Sequence, residues 1–315
     1  MPLTQTSDKD ALESVAFFVC NFQLIGGYIM AKRKNNWDAD KFNRWIKEGR
    51  GQGEGENYKP WLTIQDFPSM GRATRVFGWT TNRIHHFFSD SQLKYFYLLD
   101  WDGKVVDIRE HYPLIDLEVV LEDTLGLRLD KFIDRKTKES YIFTTTFLIT
   151  LLNNDGQESY AARSIKYASE LSKKSTIEKL EIERRYWKAQ GIDWRIVTNK
   201  DINSIRAKNI EWVHSAMSAD SNNGFSKAEL EDLQDGLLYR TVDNKQSIKK
   251  VILEYEKDYS LDAGTGLLLF KHLVADKRII LDMDKHININ QIYCKSIYVP
   301  EISDKGGNNG VKIYS

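Results

Sequence analysis

Residues 141–166 read YIFTTTFLITLLNNDGQESYAARSIK, and this stretch decides the fold of the first half of the chain. An apolar, β-rich run over 141–152 is followed by the turn sequence NNDG at 153–156. A returning strand then ends near Lys166. Two β-rich runs joined by a polar turn that contains glycine predict a pair of antiparallel strands.

The segments on either side of this pair alternate between helix and strand patterns. Residues 175–190 are predicted as a helix, because Leu180, Ile182 and Tyr186 recur among many charged residues. The other predicted elements are helices over 38–47 and from an Asp90 N-cap through Tyr97, and strands over 61–67, 72–79, 84–88, 105–109 and 194–198. This alternation predicts an α/β domain.

The composition shifts after residue 201. Helices are predicted there over 210–217, 227–238, 245–255 and 265–274, and β character over 278–281 and 287–298. Several helices followed by a small β-hairpin are typical of a winged-helix module. The predicted organisation is therefore an extension at 1–29, an α/β domain at 30–200, a mainly α domain at 201–300 and a flexible tail at 301–315.

Composition excludes several classes of protein. The chain has 315 residues, of which 41% are hydrophobic and 29% charged, the profile of a soluble globular protein. Its 45 basic and 45 acidic residues balance, which excludes a DNA binder that acts through bulk charge but not one with a local basic patch. No apolar run approaches the roughly 20 residues of a membrane span. Cys20 and Cys294 lie too far apart for a disulfide framework or a zinc motif, so a reducing cytoplasm is expected.

The first 29 residues differ from the rest, and two interpretations stay open. They form either a short element packed on the domain, or upstream sequence translated in error, with Met30 as the natural start. Gly26-Gly27 would be encoded by a purine-rich run that resembles a bacterial ribosome-binding site. The acidic residues before the apolar part argue against a secretory signal.

Six strings are specific enough to compare with known families. They are IKEGRGQG at 46–53, PWLT at 60–63, RIHH at 83–86, DIRE at 107–110, KLEIERRYW at 179–187 and NIEW at 209–212. In this order they resemble the TnsA family, the endonuclease subunits of heteromeric TnsA–TnsB transposases. The resemblance covers residue 30 to about residue 215 well and the C-terminal third loosely.

The resemblance implies a restriction-endonuclease-like domain over 30–200, followed by a winged-helix domain that meets other transposition proteins. Members of the family nick the 5′ ends of the transposon with Mg²⁺, while a TnsB-type partner cuts the 3′ ends. DNA at the transposon ends, a TnsB-like transposase and a TnsC-like ATPase regulator are therefore the expected partners, and no membrane is expected. The implied location is the bacterial cytoplasm, at the nucleoid.

The family's site positions fall on five residues here, and three of them are substituted. Gln92 stands where the family has a glutamate in a D-x-E string, and Thr146 stands where it has its central metal-binding aspartate. On the returning strand Ser164 replaces the glutamine of a Q-x-K string, whereas Lys166 is retained, together with Glu183 on the following helix. Magnesium prefers hard, charged oxygen ligands, so the resemblance implies that Mg²⁺ binds weakly or not at all.

Other acids could replace the missing carboxylates by migration, namely Asp90, Asp155 or Glu158. Asp155 lies in the predicted turn, and Asp90 is two residues away from the required face of its helix. We therefore expect a degenerate nuclease that acts as a DNA-binding and transposase-binding scaffold. The alternatives are an active Mg²⁺-dependent endonuclease with an unusual ligand set, and a restriction- or repair-type nuclease relative, or a DNA-binding regulator, outside transposition.

Five basic residues are candidates for DNA contacts. Arginines that alternate with aromatic residues suit phosphate contacts, which position a protein on DNA without reading its sequence. His85 and His86 should point to opposite faces of one strand, so they cannot bind one metal ion together. For the acids of the DIRE string, a salt bridge to Arg109 or to a neighbouring residue is expected. The candidates are Arg50, in a glycine-rich loop without a P-loop pattern, and Arg72, Arg75, Arg83 and His85.

Overall fold

The computed structural model describes residues 37–66, 73–121, 124–216, 224–242 and 244–300. The chain divides into two compact units, Met1–Ile202 and Asn203–Ser315. In the described ranges, no helix is long and apolar enough to cross a membrane.

The first unit contains four α-helices and six strands in its described part, with three short 3-10 turns. In chain order they are α1 (Ala39–Lys47), β1 (Thr74–Gly78), β2 (Arg83–Phe87), α2 (Asp90–Trp101), β3 (Val105–Pro113), α3 (Leu117–Val120), β4 (Thr144–Leu152), β5 (Glu158–Lys166), α4 (Lys174–Ala189) and β6 (Asp193–Thr198).

A mixed four-stranded sheet, in the order β3-β4-β5-β6, forms the centre of this unit. Strands β3, β4 and β5 pair antiparallel, and the register of β4 and β5 places Phe147 opposite Arg163. Strand β6 pairs parallel to β5, because α4 carries the chain back along the sheet before β6 begins. The predicted strand pair of residues 141–166 and the α/β class are both confirmed.

Helix α4 packs one face against the sheet. Ile182, Tyr186 and Trp187, at helical spacing, join Leu148 of β4 and Ala162 of β5 in one buried cluster. The helix covers the strands with its apolar stripe and leaves its charged face outside.

Helix α2 covers another part of the sheet. Its Phe96 ring lies 4.9 Å from Phe87 of β2, which in turn lies 6.0 Å from Phe147 of β4. The helix begins after Ser89, whose hydroxyl accepts a hydrogen bond from Gln92 N at 3.3 Å, so Ser89 and not the predicted Asp90 is the N-cap.

The strand predicted over 61–67 does not form in residues 61–66. Asp66 accepts hydrogen bonds from Thr63 N at 2.7 Å and from the Thr63 hydroxyl at 2.8 Å. Such a side-chain-to-backbone turn competes with strand pairing. Trp61 instead packs in an aromatic cluster with Trp37 and Trp45.

The second unit contains four α-helices in the part that the structure describes. They are α5 (Ser204–His214), α6 (Lys227–Thr241), α7 (Ile248–Asp258) and α8 (Thr265–Ala275). Helix α5 begins earlier than predicted, because Asn203 accepts a hydrogen bond from Arg206 N and caps it.

The strands predicted over 278–281 and 287–298 are absent from those residues. Only isolated bridges are formed there, one between Ile280 and Tyr298 and one between Ser247 and Tyr293. The intervening segment is held by side chains, because Asn209 Nδ2 donates to the carbonyls of Met283 and Lys285. The second unit is thus mainly helical, and its described residues contain no wing hairpin.

Candidate active site

Three elements bring four of the five predicted site residues together. Thr146 lies on β4, Ser164 and Lys166 lie on β5, and Glu183 lies on α4. Ile165 N donates to Thr146 Oγ1 at 3.0 Å, which joins β4 to β5 at this point. The Ser164 hydroxyl donates a short hydrogen bond to Glu183 Oε2 and joins β5 to α4.

Glu183 is almost fully buried and is held by two hydroxyls. Besides Ser164, the Thr145 hydroxyl donates to Glu183 Oε2 at 2.9 Å. Each hydroxyl also accepts from an indole: Trp187 Nε1 donates to Thr145 Oγ1 at 2.7 Å, and Trp194 Nε1 donates to Ser164 Oγ at 3.0 Å. The network fixes Glu183 on the inner face of α4 and leaves its oxygen Oε2 occupied.

Two lysines influence this carboxylate. Burial raises the pKa of Glu183, while the charge of Lys166 and the hydrogen bond from Ser164 oppose the rise. Lys179 lies one turn before Glu183 on α4. Burial lowers the pKa of Lys179, the charge of Lys166 lowers it further, and Glu183 opposes this. The site therefore contains two ammonium groups and one carboxylate close enough to interact.

Gln92 is connected to this group through its neighbours. Its Oε1 accepts a hydrogen bond from Phe88 N at 2.8 Å and so supports the start of α2. The Phe88 ring lies 4.7 Å from the ring of His111 on β3. His111 is near enough to Lys166 for that charge to act on its pKa.

Sequence reasoning missed His111, Thr145 and Lys179. Burial lowers the pKa of His111 to about 4, so the ring is neutral and its Nε2 donates to the carbonyl of His86 at 3.0 Å. His111 has a φ of 50°, in the left-handed region. The signal in the sequence was its place directly after the DIRE string. Thr145 lies in the stretch 141–166 and Lys179 in the string KLEIERRYW, but neither sequence indicates a place beside Glu183.

The residues present do not fit a magnesium site. Mg²⁺ requires near-octahedral oxygen ligands, normally with one or two carboxylates among them. Here Glu183 is the one carboxylate of the five positions, Gln92 Oε1 accepts from Phe88 N, and Thr146 Oγ1 accepts from Ile165 N. Within the part of the chain that the structure describes, no group of three or more His, Cys, Asp or Glu residues could hold a metal ion.

The three alternative acids, Glu158, Asp155 and Asp90, do not replace the missing carboxylates. Glu158 begins β5 and Lys166 ends it, so the two are roughly 26 Å apart along an extended strand. Asp155 belongs to the turn before Glu158, where it accepts from Gln157 N at 3.2 Å. Asp90 is an exposed residue of the first turn of α2.

Two of the predicted DNA contacts lie inside the protein. Arg83 donates to both carboxylate oxygens of Glu110, at 2.9 and 2.5 Å, and His85 Nδ1 lies 2.8 Å from Glu110 Oε2. Burial would raise the pKa of Glu110, but His85 and Arg83 together hold it well below its usual range. Arg83 and His85 therefore join β2 to β3, which replaces the predicted role at the DNA backbone.

The remaining candidates differ in exposure. Arg50 is engaged by Asp66 at 2.7 Å and by Glu48 at 2.8 Å, and its guanidinium lies 4.2 Å from the ring centre of Trp45. Arg75 is exposed on β1, whereas Arg72 lies outside the described residues.

The salt bridge expected at the DIRE string is present. Arg109 Nε lies 3.2 Å from Asp107 Oδ2, and the other acid of the string, Glu110, pairs with Arg83.

Comparison with known proteins matches most of the chain to one family. The family model of the TnsA-like endonuclease N terminal matches residues 102–199, and that of the TnsA endonuclease C terminal matches residues 201–283. The chain is 34% identical over 275 residues to the Transposon Tn7 transposition protein TnsA of Escherichia coli, which covers 87% of this chain and 96% of that protein. These matches favour transposition over a restriction- or repair-type role.

Proposed function

The chain belongs to the TnsA family of transposon endonuclease subunits, and from this membership we propose that it keeps the subunit's role in the transposase while its own cleavage site is impaired. It would bind the transposon ends and the other transposition proteins as a scaffold. The 3′ ends would be cut by the partner, and the 5′ ends would remain uncut.

The observation that carries this proposal is the donor set of the site. Gln92 and Thr146 replace two carboxylates, and their oxygens accept hydrogen bonds from the backbone. Affinity for a divalent ion depends on ligand charge, and even the loss of an outer-shell partner costs about 10- to 100-fold. The loss of two charged ligands supports weak or absent Mg²⁺ binding.

The exposed face of the β1–β2 hairpin is the surface we propose for backbone contacts with DNA. Arg75 lies on this face, and next to it Phe77 of β1 pairs with Ile84 of β2, 46% and 52% exposed. The opposite face is anchored by Arg83 and His85 on Glu110. A cation on a firmly held strand suits a phosphate contact.

The partners are proposed from the family. We assign a TnsB-like transposase and a TnsC-like ATPase regulator as partners, with the regulator contacting the second unit. A winged-helix relationship of this unit is part of the same proposal and comes from the family alone, since its described residues form helices and isolated bridges but no wing hairpin.

Cleavage of end-containing DNA tests the proposal. The native protein is incubated with its TnsB-like partner and labelled transposon-end DNA in Mg²⁺ or Mn²⁺, and each strand is followed separately. We expect cuts at the 3′ ends and intact 5′ ends. Cuts at the 5′ ends that disappear in a Lys166→Ala variant would show an active site and refute the proposal.

A further inference from the structure

The site keeps its basic residues, whereas Gln92 and Thr146 stand at two of its three acidic positions. Lys166 ends β5 and Lys179 lies on the first half of α4. Among the residues that the structure describes, neither ammonium group forms an ion pair with a carboxylate at contact distance. Both side chains are half-buried, where two like charges repel each other more strongly than in water.

Glu183 cannot balance both lysines. It carries a single charge, and its Oε2 already accepts hydrogen bonds from the hydroxyls of Ser164 and Thr145. Counted over the described part of the chain, two lysines against one carboxylate give the site a net positive charge. The family arrangement, with carboxylates at positions 92 and 146, would make the same site net negative and suited to a cation.

We infer that this site binds a DNA backbone phosphate directly through Lys166 and Lys179, without a divalent ion. The inference rests on the proposed loss of metal binding. In a metal-dependent nuclease the ion links the carboxylates to the phosphate. Here the two ammonium groups take the phosphate themselves, and the anion relieves the repulsion between them.

The arrangement of the two lysines suits such a ligand. Lys179 and Glu183 are four residues apart on α4, so their side chains leave the helix on the same side. Glu183 accepts a hydrogen bond from Ser164 of β5, and Lys166, two residues further along that strand, lies on the same face of the sheet as Ser164. The Lys179 ammonium lies 5.4 Å from the centre of the Phe132 ring, and the face of the ring stabilises the positive charge by a cation–π interaction. A phosphate between the two lysines gains charge-assisted hydrogen bonds in a partly desolvated site.

The salt dependence of DNA binding tests the inference. The affinity of the full chain for an end-containing duplex is measured in EDTA over about 50 to 300 mM KCl. We expect the native protein to bind without a divalent ion. A Lys166→Ala/Lys179→Ala variant should bind about tenfold more weakly and lose about one unit of salt slope, since one phosphate contact is removed.

A matched control is present on the same helix. Lys188 has the same charge and is exposed, about half a turn around α4 from Lys179. A Lys188→Ala variant should therefore bind as the native protein does. The inference is overturned if the double variant has the native affinity and salt slope, or if the native protein binds only with Mg²⁺ present.

A second variant keeps the test valid if the double alanine variant fails to fold. Gln92→Glu/Thr146→Asp leaves both lysines in place and adds two negative charges. It should bind DNA more weakly than the native protein in EDTA and recover on addition of Mg²⁺; unchanged binding in EDTA overturns the inference. Strand cleavage on the same DNA reports separately on the proposed function, because 5′ nicking by the native protein would refute impairment whatever the lysine variants show.

Discussion

Gln92 and Thr146 each satisfy a backbone donor that lies beside the site. Gln92 accepts from Phe88 N at the start of α2, and Thr146 accepts from Ile165 N between β4 and β5. An unpaired buried N–H group is costly, so both side chains have a structural use that does not require charge. This explains how the fold accommodates uncharged side chains at these two positions.

Restoring both carboxylates should restore metal binding. In a Gln92→Glu/Thr146→Asp variant, two charged ligands would return to the family's positions, near Lys166 and Glu183. We expect calorimetry to detect Mg²⁺ binding by this variant and none by the native protein. Each single change should have little effect on Mg²⁺ binding, because one carboxylate cannot organise an octahedral shell of ligands. Equal binding by the native protein and the double variant would contradict the account.

His111 should make stability depend on pH. Burial lowers its pKa from 6.5 to about 4 in the folded protein, so the unfolded chain binds a proton first as the pH falls. Its contribution to stability is complete above about pH 6.5 and is lost between that pH and about 4, by about 3 kcal/mol.

A His111→Gln variant isolates this contribution, because the amide can still donate to the carbonyl of His86 but does not titrate. The free energy of unfolding is measured by urea denaturation at about pH 7 and about pH 4. The decrease should be about 3 kcal/mol smaller in the variant. The same decrease in both proteins would show that protonation of His111 does not lower the free energy of unfolding.

The two strands of the β1–β2 hairpin each carry an arginine, one buried in an ion pair and one exposed. Arg83 points inward to Glu110, and Arg75 is exposed on the other strand. Strand alternation predicts that neighbouring residues face opposite sides, but it does not say which side is buried. The internal position of Arg83 follows from its partner Glu110 on β3, which is distant in sequence.

The two arginines should respond differently to mutation. Arg83→Met leaves Glu110 buried without the guanidinium that donates to both of its oxygens, and it should lower the free energy of unfolding by about 3–5 kcal/mol. Arg75→Ala should change stability by less than about 0.5 kcal/mol while weakening DNA binding. Thermal denaturation and DNA titration of both variants check this pair. If the Arg75 variant loses stability and binds DNA as the native protein does, Arg75 has a structural role and not the proposed DNA contact.

The elements that could be predicted from sequence are those with local signals. The β4–β5 hairpin had its NNDG turn, and α4 had apolar residues at helical spacing. In the residues that the structure describes, the strands expected over 61–67, 278–281 and 287–298 do not form. Asp66 and Asn209 bind backbone groups there, and such contacts depend on side-chain geometry that the sequence pattern does not show. The site positions came from the family resemblance, whereas the roles of Thr145 and His111 depend on tertiary contacts.

For the whole molecule, the two compact units allow a truncation test. Removing the chain from residue 201 onward should leave the first unit folded, because its sheet and covering helices lie within Met1–Ile202. The truncated protein should lose association with the TnsC-like regulator in pull-down experiments. Circular dichroism serves as the folding control, and retained association would move the partner surface to the first unit.

The structure of the transposition products shows directly whether the 5′ ends of the element are cut. If this subunit acts without cleaving the 5′ ends, transposition with the native protein and its partners should give cointegrates, in which donor DNA stays joined to the element, provided that no other nuclease substitutes. Long-read sequencing of the products distinguishes cointegrates from simple insertions. Simple insertions from the native protein that become cointegrates in a Lys166→Ala variant would contradict the account, since they require an active nuclease at this site.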